Sequence, residues 1–284
     1  MDTLSRKGKR LKGVEKYQHL YHYTSFDTFV KIWLSGKLLF GDVQKVNDVQ
    51  ENDVDIYATN PQQWAVIMQF RRLRLAYKQI SLCMDYDEDM LGCMSTQMWA
   101  YYANNKGVCI ELDYSKLIFP SSCFHGIVRY RNYTNDVTLD PSIKSTCDLK
   151  RFIKKNHKKL FFTKQFTWKG ENEYRIVSDN LDGLDISKAI SAIYVLDSTS
   201  IQCSFLHKLV GDSVPIKRVK FSGRNGILKP KILDAVKEME EREKQLSDPK
   251  GFHNSISRQV EKKLEECKDD EKASLLMPYL YFQK

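Results

Sequence analysis

Residues 20–36 read Leu20-Tyr21-His22-Tyr23-Thr24-Ser25-Phe26-Asp27-Thr28-Phe29-Val30-Lys31-Ile32-Trp33-Leu34-Ser35-Gly36, and two periodicities meet within them. The first five are aromatic, aliphatic or β-branched and predict a short strand. Thr24 or Ser25 can then cap a helix whose apolar positions Phe26, Phe29, Val30, Trp33 and Leu34 recur at helical spacing, with Gly36 as its stop. His22 is thereby placed on a strand that turns directly into a helix. Lys37 to Phe40 predicts a second strand, which leads into the loop Val46-Asn47-Asp48-Val49-Gln50-Glu51.

The same alternation of short elements continues outward. Helices are predicted over Gln62 to Tyr77, Thr96 to Ala103 and Leu149 to Phe162. Strands are predicted over Ile80 to Met84, Gly107 to Leu112, Gly126 to Tyr133, Glu171 to Val177, Ala189 to Leu196 and Ile216 to Phe221. Short, hairpin-like strands mixed with helices predict an α+β fold of mixed or antiparallel sheets, rather than a doubly wound one. From Leu228 the composition shifts to charged helical segments, Lys231 to Gln245 and Ser255 to Glu271, ending in the apolar Leu275 to Phe282. The expected organisation is a basic arm over 1–16, a main domain over 17–227 and a helical appendage over 228–284.

The chain has 284 residues, 42% hydrophobic and 29% charged, enough for a sizeable core and unlike a disordered or fibrous composition. No apolar run approaches the roughly 20 residues of a membrane span, and no signal segment opens the chain, so a soluble protein is expected. The seven cysteines contain no Cys-x-x-Cys pair, which argues against a zinc ribbon or a disulfide framework and predicts a reducing cytoplasm.

The net charge of +9 is segmental. Residues 1–20 carry six basic side chains against two acids, residues 144–170 carry nine against Asp148, and Lys208 to Lys231 carry seven against Asp212. Each run alone reads as a solvated helix face. Together they point to a polyanionic partner, with Lys154, Lys155, Lys158, Lys159 and Lys164 as candidate contacts to nucleic acid.

Gly-x-Gly-x-x-Gly, the P-loop, Gly-x-Ser-x-Gly and His-Glu-x-x-His are all absent, and the six histidines do not pair with carboxylates at metal-ligand spacings, so no metal is expected. What remains is a polar set on apolar strands. Glu171, Glu173 and Arg175 alternate and are expected on one strand face, either as a surface ion-pair ladder or as one wall of a cleft. His22 reads either as a satisfied core histidine or as part of that cleft.

Taken in order, Tyr21-His22-Tyr23-Thr24-Ser25, Asn47-Asp48, Met98-Trp99-Ala100-Tyr101-Tyr102-Ala103, Lys106-Gly107-Val108-Cys109-Ile110 and Trp168-Lys169-Gly170-Glu171-Asn172-Glu173-Tyr174-Arg175 resemble a widespread bacterial family of unknown function, over about Tyr17 to Phe221. His22, the aromatic pair and Asn172-Glu173-Tyr174 also resemble the His-Tyr-Glu triad of ADP-ribosyltransferases, and the first motif is similar to the start of DarT-type enzymes that modify DNA.

The second resemblance implies an ADP-ribosyltransferase-like cleft and NAD as substrate. On it, Glu173 would stabilise the cationic ribose and Glu171 would serve as general base. His22, with Tyr23 and Thr24, would hold the adenosine ribose or the nicotinamide amide. Tyr101 or Tyr102 would stack on nicotinamide, with Trp99 shaping the wall. Arg175 would pair with the pyrophosphate or a carboxylate, and Asn47, Asp48 and Glu51 would order the cleft. The basic segments favour RNA over DNA or protein as acceptor. A toxin–antitoxin or phage-defence setting is then expected, with the apolar tail facing an antitoxin. Two alternatives stay open: a non-catalytic RNA- or partner-binding module, and a metal-independent ribonuclease using His22 with a lysine.

Overall fold

The computed structural model describes residues 19–45, 56–57, 64–132, 137–196, 200–224 and 227–247. In chain order the described elements are β1 (His19–Thr24), α1 (Phe26–Ser35), β2 (Lys37–Leu39), β3 (Gly41–Asp42), β4 (Ile56–Tyr57), α2 (Trp64–Leu75), β5 (Lys78–Met84), α3 (Thr96–Ala103), β6 (Val108–Asp113), β7 (Phe124–Ile127), β8 (Arg129–Arg131), β9 (Val137–Thr138), α4 (Thr146–Phe161), β10 (Thr163–Gln165), β11 (Glu173–Ser178), β12 (Gly183–Asp185), β13 (Ile190–Leu196), α5 (Ser200–Val210), β14 (Ile216–Arg224), β15 (Ile227–Asp234) and α6 (Ala235–Ser247). They belong to two compact units, residues 1–233 and 234–284. In the second, Asp234 caps α6 by accepting from the Val236 and Lys237 amides, each at 3.0 Å.

The first unit is a mixed α+β assembly around a nine-stranded mixed sheet in the order β15-β14-β13-β6-β1-β5-β11-β7, with β3 paired to β5. β13 and β14 run parallel, while β6, β1, β5, β11 and β7 are antiparallel to their neighbours. Three two-stranded ribbons, β10-β8, β12-β2 and β4-β9, complete it.

Local chemistry explains why the opening segment folds as read. Ser25 Oγ accepts from the Thr28 amide at 3.2 Å, and Gly36 closes α1 at φ 66°. A left-handed residue there costs glycine little and a β-branched residue a great deal. α4 starts three residues before the predicted Leu149, because Ser145 and Asp148 form a reciprocal capping box. Its apolar stripe, Leu149, Ile153, Leu160 and Phe161, packs with Ile67 and Phe70 of α2 and with Tyr77. Each such side chain contributes about 2 kcal/mol on burial. A second cluster, under α3, joins Tyr21, Tyr23, Cys83, Cys109, Met98 and Trp99.

Two readings of these elements differ from the structure, and one helix went unread. The strand expected over 126–133 is broken at Val128, whose amide donates to Glu173 O at 2.9 Å, while Arg129 N donates to Phe162 O at 2.9 Å. The chain therefore leaves β11 at that point and joins β10. The segment from Leu228 begins as a strand, with the helix starting only at Ala235. Helix α5 was not read at all. The basic arm, the loop with Asn47, Asp48 and Glu51, the helix over 255–271 and the apolar tail lie outside the described residues.

Candidate functional site

Three neighbouring strands set the site. Tyr21 of β1 pairs with Cys83 of β5, which pairs on its other side with Glu173 of β11. Between β1 and β5 the register holds only at Leu20↔Met84 and Tyr21↔Cys83. On the far edges it runs on, from β1 to β6 as far as Thr24↔Val108 and from β5 to β11 as far as Ser178↔Lys78. The sheet therefore parts just beyond Tyr21, and His22 is the first residue past the last pair. A cavity of about 270 Å³ opens there, lined by His22, Ser81, Met98, Tyr102, Glu171 and Glu173 among others. A larger one of about 670 Å³ adjoins it, sharing Gln79, Ser81, Tyr102 and Glu171 and adding Asp42, Lys78, Tyr101 and Lys164.

The two carboxylates meet by a different route from simple strand alternation. Glu171 ends a 3-10 turn over Phe166–Glu171, Asn172 takes a left-handed conformation at φ 43°, and the strand begins only at Glu173. Asn172 is fixed there by its side-chain amide, which donates to Met84 O at 3.1 Å and Asp85 O at 2.9 Å. An asparagine tolerates this backbone better than most residues.

Lys164, Glu171, Glu173 and Arg175 are all buried, at 6%, 3%, 2% and 1% exposure, so the surface-ladder alternative does not hold. Lys164 Nζ lies 2.7 Å from Glu171 Oε2 and 3.9 Å from Glu173 Oε2. Arg175 donates through Nε and Nη2 to the two oxygens of Glu173, each at 2.7 Å, and through Nη1 to Phe161 O at 2.7 Å. Tyr102 donates its hydroxyl to Glu171 Oε1, and the Glu173 amide donates to Tyr130 Oη at 2.8 Å. Two carboxylates thus face two cations in a buried setting, where each pair offsets a large desolvation cost. Burial alone would push the Glu173 carboxyl up, but Arg175, Lys164 and Ser81 hold it below the usual carboxylate range.

Burial pushes the His22 imidazole down to about 4, an effect partly offset by its hydrogen bond to the Ser81 backbone. A carbonyl can only accept, so the ring donates to it, and His22 Nδ1 is left without a partner. The ring is neutral, and that nitrogen is itself buried although the residue lines the smaller cavity.

Several expected contacts fall elsewhere. Trp99 is fully buried in the α3 cluster, donating Nε1 to Cys93 O at 2.8 Å, and lines neither cavity. Thr24 is buried outside both, whereas Tyr23 lines the smaller one while its hydroxyl donates to Gly92 O. Tyr101 is 57% exposed and borders only the larger cavity, so Tyr102 is the tyrosine held against a carboxylate. Arg175 is engaged within the protein rather than open to a pyrophosphate. Lys164 is removed from the candidate nucleic-acid rim: it sits on β10, buried, with its ammonium also over the Trp168 ring at 4.7 Å. Lys154, Lys155, Lys158 and Lys159 remain exposed on α4. Ser81, Gln79 and Tyr130 were missed. Ser81 left a trace in the sequence as a lone polar residue inside Ile80-Ser81-Leu82-Cys83.

The sequence model of a family described as Protein of unknown function (DUF2971) matches residues 98–176. The match supports a family of unknown function. It runs from Met98 on α3 to Ile176 on β11, so it takes in Tyr102, Lys164, Glu171, Glu173 and Arg175 and stops short of His22 and Ser81. No curated protein and no solved structure matches the chain. Among the described residues no cluster of three or more His, Cys, Asp or Glu could hold a metal, and no helix is long and apolar enough to cross a membrane.

Proposed function

We propose that the chain is an NAD-dependent ADP-ribosyltransferase that modifies a nucleic acid, RNA in preference to DNA, in a toxin–antitoxin or phage-defence setting. The observation that carries the reading is the parting of the sheet at Tyr21, where His22, Glu171 and Glu173 line one cavity. Scission of the nicotinamide glycosidic bond builds positive charge at the anomeric carbon, as in glycoside hydrolysis. A buried carboxylate kept ionised beside the cavity supplies what that charge needs, and Glu173 is kept so by Arg175. Glu171, steadied by Tyr102 and Lys164, receives the proton of the attacking group. His22 forms the part of the cavity wall beside which a ribose or an amide would sit. The smaller cavity suits a ring with its ribose, and the larger one the rest of a dinucleotide.

One observation favours a second reading, a non-catalytic RNA- or partner-binding module: both oxygens of Glu173 are already taken by Arg175. Incubation with adenylate-labelled NAD and RNA, DNA or protein separates the two. Label transfer to RNA, lost in Glu171→Gln with the fold retained by circular dichroism, supports the transferase. RNA binding with neither transfer nor nicotinamide release selects the module, and cleavage of RNA without NAD selects a ribonuclease.

A further inference from the structure

A third cavity, of about 410 Å³, lies beside β7, the last strand of the large sheet, and is lined by His125, Arg129, His157, Lys158 and Phe162 together with Gly126 and Ile127. It is separate from the cleft. The β8-β10 ribbon divides the two, because consecutive strand residues point to opposite sides: Tyr130 and Lys164 pair in register, Lys164 bonding the Glu171 carboxylate and Tyr130 accepting from the Glu173 amide, whereas Arg129 lines the third cavity.

The lining contains an arginine, a lysine, two histidines and no acid. Among the described residues Arg129 and Lys158 are exposed and have no ion pair. Both imidazoles are stacked on a phenylalanine and hydrogen-bonded. His157 lies flat on Phe124 at 4.4 Å and donates Nδ1–H to Lys154 O at 2.7 Å, and His125 lies flat on Phe119 at 4.1 Å with Nδ1 against Tyr174 Oη at 2.7 Å. In each ring Nε2 is the nitrogen left over. Lys150, Lys154 and Lys158 are spaced four residues apart on α4, so an exposed basic stripe with steps of about 6 Å ends at this cavity.

We infer that this cavity is a nucleic-acid subsite: it holds one phosphodiester of a single strand between Arg129 and Lys158, next to the planar His157–Phe124 pair, with the Lys150–Lys154–Lys158 stripe tracking the adjoining phosphates. Clustered cations supply sequence-independent attraction, and planar rings give an unpaired base a stacking surface. The inference rests on the proposed function for the class of polymer and adds where that polymer is held.

The test is fluorescence anisotropy of a labelled 20-nucleotide single-stranded RNA on the full chain, without NAD, as a function of salt. Arg129→Gln/Lys158→Gln is expected to raise Kd about tenfold and to lower the salt slope by about 1.4. His157→Ala is expected to weaken binding, since it removes a stacking surface. The control Lys37→Gln/Lys188→Gln removes two exposed cations from elsewhere in the same unit. Unchanged binding in the first pair, or an equal loss in the control pair, overturns the subsite. Competition by polyglutamate as effective as by unlabelled RNA assigns the surface to an acidic protein instead and overturns the nucleic-acid inference. Because no NAD is present, failure here is distinct from failure of the transferase reading.

Discussion

Lys164 Nζ stands 2.7 Å from Glu171 and 3.9 Å from Glu173, so a single buried ammonium spans the two carboxylates of the candidate site. Removing it leaves Glu171 with one donor and crowds two anions together. Lys164→Met is expected to cost about 3–5 kcal/mol, measured by urea unfolding. Unfolding within about 0.5 kcal/mol of the parent would show that the ammonium is not needed to hold the pair.

The Arg175–Glu173 pair is expected to be strongly non-additive. Each single change, Arg175→Met or Glu173→Gln, strands a buried charge and should cost about 3–5 kcal/mol. The double variant strands none. It should recover at least about 1.5 kcal/mol of the summed loss in a double-mutant cycle, and simple additivity would contradict the bidentate geometry.

His22 predicts a specific acid lability. Its folded value of about 4 lies below the ordinary 6.5, so the unfolded chain binds the extra proton first. The stability tied to the neutral ring is thus present above pH 6.5 and is lost as pH falls towards 4, by no more than about 3 kcal/mol. His22→Gln should flatten the unfolding profile in that window, and a parallel profile would refute the assignment.

The two tyrosines should separate. Tyr102→Phe removes the donor to Glu171 Oε1 and is expected to cost about 1–2 kcal/mol and to cut NAD-dependent label transfer more than tenfold. Tyr101→Ala, on an exposed side chain, should stay within about 0.5 kcal/mol in stability. Thermal melts and the transfer assay, run on both, give the comparison.

Gly107 is expected to tolerate no side chain. A Cβ there would sit 2.0 Å from Thr24 O and 3.0 Å from Ala103 O, both of them backbone atoms that cannot turn away. Gly107→Ala should therefore destabilise by about 3 kcal/mol through displacement of β6 from β1, seen as a lowered Tm. An unchanged Tm would mean that the two strands have room to part.

The first strand and helix were legible because their signals are local: aromatic alternation, the Ser25 cap and the Gly36 stop need nothing from the rest of the chain. Glu171 and Glu173 were legible as a pair but not in their geometry, since the left-handed turn at Asn172 depends on carbonyls of Met84 and Asp85 far away in sequence. Lys164 was hidden for the same reason. In composition it continues the lysine run of α4, and only the pairing of β10 with β8 turns it inward. The break at Val128 left no mark either, because Val128 and its neighbours suit a strand on either side of it. His22 and Glu173 were proposed together from motif order alone, and their meeting at one cavity follows from β5 lying between β1 and β11.

The early end of pairing between Tyr21 and Cys83 bears on what entry into the site would require. A seam that is already unzipped can admit a flat ring edge-on without melting any rung of the ladder. The two halves of the sheet remain stitched at Leu20↔Met84 and Tyr21↔Cys83, which can serve as the pivot of a pair of jaws. Small rotations about that pivot would be read out as altered amide exchange at Ser81, which faces β1, while amides paired to β11 such as Leu82 stay protected.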